Sequence, residues 1–224
     1  MTSAEGALHA EGSRRRILDA ALDLLAEHGY DGTTLQQVAD RVGLHKSSLF
    51  HHFRSKEELA REVYRGLVER LLKRLEPLLA EDPPRLDTLL AALDAAVDHF
   101  AGEPAAARLL MRLMVDPQLA PGSPFDAPHS GGRGMEPAGI LRVLTLVGTW
   151  LARARDAGVI RPVPVRHTIL NLMGLVLLYP AVVHGTAPEI LGRDPRSAQA
   201  IASRKRELRE FLRGALAPSE RSAF

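Results

Sequence analysis

The residues with the clearest chemical purpose lie between positions 41 and 56, RVGLHKSSLFHHFRSK. Arg41, Lys46, Arg54 and Lys56 are cationic, and no acidic residue interrupts them. Ser47, Ser48, His51 and His52 add hydrogen-bonding groups between the charges. The 224-residue chain has a formal net charge of only +2, so this clearing of carboxylates is local. A solvated helix face is the usual fate of such charges. A segment kept free of acids, however, also suits a phosphate backbone, which carboxylates would repel.

Other chemistries fail on residue type or spacing. The chain has no cysteine, which removes disulfides, thiolate metal sites and cysteine nucleophiles together and fits a reducing cytoplasm. Its nine histidines include no pair three or four residues apart and no E-x-x-H, and Asp126 and His129 share a Pro-rich loop, a poor preformed metal site. No G-x-S-x-G, G-x-x-x-x-G-K-[ST] or G-x-G-x-x-G is present. The expectation is therefore no enzyme, no metal and no cofactor.

Helices must position the cationic segment. The composition is 46% hydrophobic but only 4% aromatic, with Leu and Ala dominant, which favours packed helices over sheets. The fold class expected is all-α, with about nine helices and no strand pair or repeat. Residues 1–12 read as disordered, with no signal peptide. From Ser13, Ile17, Leu18, Ala21, Leu24 and Leu25 repeat on one helical face, and the run around Gly29 and Gly32 ends it. Thr34 with Gln37 offers a capping box for a helix from Leu35 to about Val42, stopped at Gly43. A second short helix spans about Lys46 to Phe53, and Ser55 with Glu58 caps a long helix to about Leu79, kinked or ended early by Pro77. Further helices are expected from Pro84 to Phe100, Pro104 to Val115, Glu136 to Asp156, Pro164 to His184 and Ser197 to Leu216, with residues 116–134 a mobile loop. The apolar run from Thr168 to Val183 contains Asn171, Gly174 and Pro180 and falls short of the roughly 20 apolar residues of a membrane span, so it reads as a buried helix and no membrane partner is expected.

The two short helices carry a specific geometry. Ala39 permits close approach and Gly43 the turn, while Val38, Val42, Leu44, Leu49 and Phe53 supply a shared core. Leu49 and Phe53, four apart, must face inwards, leaving Lys46, Ser47, Phe50 and His51 outside. A helix-turn-helix presents its second helix to the DNA major groove in this way.

The ordered set ILDAALDLLAEHGYDGTTLQQVADRVGL, SSLFHHF and SKEEL resembles the DNA-binding domain of the TetR (tetracycline-repressor) family of bacterial transcription regulators, over about a fifth of the chain. The resemblance implies that Lys46, Ser47 and Ser48 read base edges and that Phe50, His51 and His52 touch the backbone or thymine methyls. It also implies that Gln36 reaches in from the preceding helix, and that Thr34 and Lys56 hold phosphate at helix N-termini. Two positions depart from the family pattern: Phe50 lacks the hydroxyl of the usual tyrosine, and His45 replaces the usual Ser or Thr cap. His52 could equally cap or pack at its helix end, and Arg14-Arg15-Arg16 could contact phosphate or simply begin a helix.

The domains expected are thus the helix-turn-helix domain at 13–59, a helical ligand-binding and dimerisation domain at 60–217, and a tail at 218–224. In the second domain Phe100, Met111, Met114, Trp150, Met173 and Tyr179, with His99 and Asn171, are each ordinary core candidates. Together they suit an apolar ligand cavity. Ile201, Leu208, Phe211, Leu212 and Ala215 form a stripe on the last helix. By the family resemblance this stripe, with part of 168–184, pairs two copies into a four-helix bundle; packing within its own chain is the plainer alternative. The function implied is a cytoplasmic one-component regulator: a homodimer on double-stranded operator DNA, repressing by default, and relieved by a small apolar or amphipathic effector. The rival is an all-α ligand-binding or enzymatic domain with a vestigial helix-turn-helix.

Overall fold

A computed structural model describes residues 3–115, 139–182, 189 and 194–218. Among the described residues it contains helices α1 (Ser3–Gly32), α2 (Leu35–Val42), α3 (Lys46–His52), α4 (Lys56–Leu79), α5 (Leu86–Gly102), α6 (Pro104–Val115), α7 (Ile140–Asp156), α8 (Val165–Val182) and α9 (Ala198–Leu216), and no strand. The loop expected at 116–134 and the expected helix ends at Glu136 and His184 lie outside the described residues.

The chain forms two compact units: 1–67 with 109–136, and 68–108 with 137–224. The first therefore takes in the opening turns of α4 and the closing turns of α6, beyond the boundary expected near residue 59.

In the first unit α1 begins at Ser3, so residues 3–12, expected to be disordered, are helical. Ala4, Glu5, Ala7, Leu8, Ala10 and Glu11 are good helix formers, and their propensity outweighs Gly6 and Gly12. The helix breaks at Gly29 (φ 74°, ψ −178°), where a Cβ would also stand 2.8 Å from the Arg112 guanidinium. The turn that follows is closed by buried Thr33, whose hydroxyl donates to the Gly29 carbonyl at 2.7 Å. Ile17, Ala21, Leu25, Val38, Leu49, Phe53 and Leu59 form the core of this unit.

In the second unit α4 continues through Pro77 to Leu79, so the proline neither ends the helix early nor removes its last turn. Burial of Leu75 and Leu79 holds that turn in place although Pro77 gives no backbone donor. Helix α5 starts at Leu86, after the proline pair, with extended Arg85 as its N-cap and the Thr88 hydroxyl donating to the Arg85 carbonyl at 2.7 Å. Helices α5 and α9 run antiparallel, joined by Asp87–Arg213 (2.8 Å), Asp94–Arg209 and Asp98–Lys205 (2.5 Å). These pairs are largely exposed and contribute register more than stability.

Helix α8 overturns the expectation of a buried helix. Only 11% of it is buried, and Leu170, Leu178 and Val182 face solvent together with Asn171 and Gly174. Its 18 residues and mean hydropathy of 1.4 also reach the length and apolarity of a membrane span.

Candidate functional sites

The helix-turn-helix is built from the capping outward. Thr34, extended at φ −122°, accepts the Gln37 amide N–H at 3.2 Å, and the Gln37 side-chain oxygen accepts the Thr34 N–H at 2.7 Å. This reciprocal pair starts α2 where the sequence places it. The helix stops at Gly43 (φ 70°, ψ 34°), whose N–H donates to the Asp40 carbonyl at 3.2 Å while Leu44 N–H reaches Ala39 at 2.9 Å. That is a Schellman motif, and glycine meets its left-handed residue without a Cβ penalty. The next carbonyl, Val42, is satisfied from outside: the Arg16 guanidinium donates to it at 2.9 Å.

Helix α3 follows with His45 as its N-cap and no side-chain cap hydrogen bond, so the departure from a Ser or Thr cap leaves that end uncapped by a side chain. Leu49 and Phe53 are fully buried. Opposite them Lys46, Ser47, Phe50 and His51 are exposed, with Ser48 and His52 half-buried. The Lys46 ammonium lies 5.9 Å from the Phe50 ring centroid, so cation and aromatic form one patch at the helix surface.

Among the described residues Lys46, Arg54 and Lys56 have no ion-pair partner, whereas Arg41 stands 3.8 Å from Glu27. Half-buried Lys56 sits over the Tyr30 ring at 4.2 Å and lines a small hollow with Thr34 and Leu35. A cation is thereby held beside the α2 N-terminus, where backbone N–H groups and the helix dipole also favour an anion. Two expected contacts are already committed within the chain. The Thr34 hydroxyl donates to Gln37 at 2.9 Å, and the Gln36 amide donates to Asp40 at 2.8 Å.

Sequence reasoning missed three supports. Besides Arg16 on Val42, Arg14 pairs with Glu62 at 2.9 Å and lies over the Phe53 ring at 4.6 Å. The alternation of Arg14 and Arg16 beside apolar Ile17 was the available signal that their stems could be drawn onto the core. The third, Tyr30 beneath Lys56, joins residues 26 positions apart, beyond any local pattern.

The eight expected ligand residues do not share one unit. Met111 and Met114, half-buried, belong to the first; His99, Phe100, Trp150, Asn171, Met173 and Tyr179 belong to the second. Trp150 is fully buried with an unpartnered indole N–H, and Asn171 is exposed. His99 is 3% exposed, tilted against Phe100 at 4.9 Å between centroids, and its Nε2 has no partner. Burial pushes the His99 pKa down, Glu103 opposing and Arg74 and Arg70 adding to the shift. One shallow cleft, partly open to solvent, is lined by Tyr179 from the expected set, with Val97, Leu175, Val176, Ile201 and Arg204.

The residues of the expected dimer stripe do not share one exposed face. Leu208 and Leu212 are 2% and 3% exposed and pack inside their own unit, and Ile201 lines the cleft. Ala215 is half-buried, and Phe211, at 59%, is the exposed member. The reason is periodicity: Leu208, Leu212 and Leu216 repeat every fourth residue on the buried face, and Phe211 lies about 100° away.

Residues 17–63 match the family model for bacterial regulatory proteins of the tetR family. The HTH-type transcriptional repressor KstR2 of Rhodococcus jostii is 34% identical over 90 residues, covering 39% of this chain and 44% of that protein. KstR2 of Mycobacterium tuberculosis is 36% identical over 89 residues, again 44% of its length. The matched stretch is thus under half of these relatives. Over nearly the whole chain the fold resembles the solved structure of M. tuberculosis KstR2 (TM-score 0.66, 19% identity, 92% of this chain and 95% of that one). It also resembles Bacillus subtilis FadR, solved in complex with stearoyl-CoA (TM-score 0.60, 17% identity, 88% and 96%). Residues 17–63 thus match the DNA-binding segment of the tetR family, and the chain shares its fold with solved regulators of that kind.

Proposed function

We propose that this protein is a transcriptional repressor that binds operator DNA as a two-fold dimer and is relieved by a small apolar or amphipathic molecule. The observation that carries the reading is the outer face of α3, cationic, free of acids and set by the capped, glycine-closed α2 before it. Such a face suits major-groove insertion, with Lys46, Ser47 and Ser48 towards base edges and Phe50 towards a thymine methyl. Lys56 at the α2 N-terminus suits a phosphate. The curated relatives named as repressors make repression the default. A vestigial helix-turn-helix would have no need to keep its capping box and Schellman turn intact.

A single recognition helix buries too little surface for tight specific binding, so two copies are needed. Leu170, Leu178 and Val182 of α8, with Phe211 of α9, supply an apolar face in the unit that would carry the dimer contact. Gly174 among them allows close helix approach, and Asn171 on the same exposed face suits a helix partner better than lipid. Such a dimer works in the cytoplasm, beside the chromosome. Helices α4 and α6 each run through both units, so a ligand in the second can move the base of the first. A coupling of about 1–3 kcal/mol suffices, and it is reciprocal.

The test is selection of bound fragments from genomic DNA, followed by electrophoretic shift with the recovered site. A palindromic site with half-sites about 34–36 Å apart is expected. Equal affinity for recovered and scrambled sequences would overturn the reading.

A further inference from the structure

The cleft of the second unit has apolar walls and one unusual cation. Val97, Leu175, Val176, Tyr179 and Ile201 line it, and among the described residues no carboxylate does. Pro180, also on the wall, sits inside α8 and gives no backbone donor. Arg204 of α9 reaches the same wall: one terminal guanidinium nitrogen donates to the Leu175 carbonyl at 3.0 Å, and the group lies 5.3 Å from the Tyr179 ring centroid. Its Nε is buried and has no hydrogen-bond partner. Burial lowers the pKa of this guanidinium, with Glu207 and then Tyr179 opposing. Arg196 stands at the same cleft, its own Nε 3.5 Å from Asp194.

A half-buried cation whose buried Nε has no acceptor, set against apolar walls, is incomplete in hydrogen bonding. The fork of a guanidinium matches a carboxylate in charge and in hydrogen bonding, and the Tyr179 ring lies beside it. We infer that this cleft binds an apolar molecule ending in a carboxylate, with the acid group on Arg204 and the chain or ring against Val97, Val176 and Ile201. The inference rests on the ligand-responsive reading above and names the site and chemical class that reading leaves open.

Decanoate and uncharged decanol are titrated calorimetrically into the full chain and into Arg204→Met and Ala101→Leu, with each variant's fold checked by circular dichroism. Decanoate should bind the wild type more tightly than decanol. Arg204→Met should weaken decanoate roughly tenfold or more and leave decanol unchanged, as expected for loss of one charge-assisted contact. Ala101→Leu narrows the cleft away from the charge and should weaken both ligands, which keeps the test alive if the arginine variant misfolds. The inference is overturned if the wild type prefers decanol or binds neither, if Arg204→Met binds decanoate as the wild type does, or if Ala101→Leu changes nothing. Recovered operator is then titrated with and without decanoate. Unchanged DNA affinity alongside tight, Arg204-dependent binding would leave the cleft assignment standing and remove decanoate-type acids as the switching ligand.

Discussion

The sharpest test of the dimer uses two leucines that the sequence pattern alone cannot rank. Leu178 on α8 is 54% exposed, whereas Leu208 on α9 is 2% exposed. Together the exposed fractions of Phe211 (59%), Leu170 (60%), Leu178 (54%) and Val182 (36%) amount to roughly two whole apolar side chains. At about 1.5–3 kcal/mol for each side chain taken from water, covering them contributes roughly 3–6 kcal/mol per copy, and twice that for a symmetric pair. This is an upper range, because association also costs rotational, translational and side-chain freedom. The double change Leu178→Glu, Phe211→Glu places two charges per copy where that surface would be buried and should convert dimer to monomer at micromolar concentration. The monomer should keep its helical circular dichroism. Leu208→Glu puts a charge into the core of its own unit and should lower the melting temperature sharply, because an unpaired buried charge costs several kcal/mol. Light scattering and thermal melts on the three proteins decide it. A double variant that stayed dimeric would refute the interface. A Leu208→Glu protein that became a well-folded monomer would restore the interface expected from the sequence.

On DNA, Lys46→Ala should weaken the recovered site by about 1–3 kcal/mol while scrambled DNA changes little; unchanged discrimination would remove the base contact. Lys56→Ala should weaken both sequences alike and reduce the slope of log affinity against log salt by about one unit, and an unaltered slope would count against a phosphate contact. Gly43→Ala should cost about 1–2 kcal/mol of stability through backbone strain alone, since a Cβ there meets nothing within 4 Å; an unshifted urea midpoint would contradict the left-handed turn. Burial holds the His99 pKa below its ordinary 6.5, so the folded chain takes up a proton less readily than the unfolded one. The stability this confers is therefore fully present above pH 6.5 and is lost as pH falls towards the lowered value. His99→Gln should flatten that acid slope, and parallel melting profiles for the two proteins would rule the contribution out.

What the sequence determined by itself is whatever depends on residues close together in the chain. Thr34 with Gln37, Ser55 with Glu58 and Gly43 after Val42 place the helix boundaries through bonds spanning three to five residues, and each is present in the structure. Leu49 and Phe53, one helical turn apart, could only face one way. Residues 3–12 stayed illegible because helix formers punctuated by glycines give no apolar periodicity to read. Tertiary structure alone decided which side of an amphipathic helix meets its own chain. On α9 the stripes through Leu208 and Phe211 are both apolar. The antiparallel ladder of Asp87, Asp94 and Asp98 with Arg213, Arg209 and Lys205 turns the first inward and leaves the second exposed. On α8 the all-round apolar sequence hides the distinction between a buried helix and a half-covered one. Arg204 shows the same limit from the other direction: in sequence it is one more charge on a helix surface, and only the Leu175 carbonyl and the ring of Tyr179 draw it into an apolar cleft. Periodicity fixes a direction within one helix, but burial is a property of the neighbours that helix meets, and they lie tens of residues away along the chain.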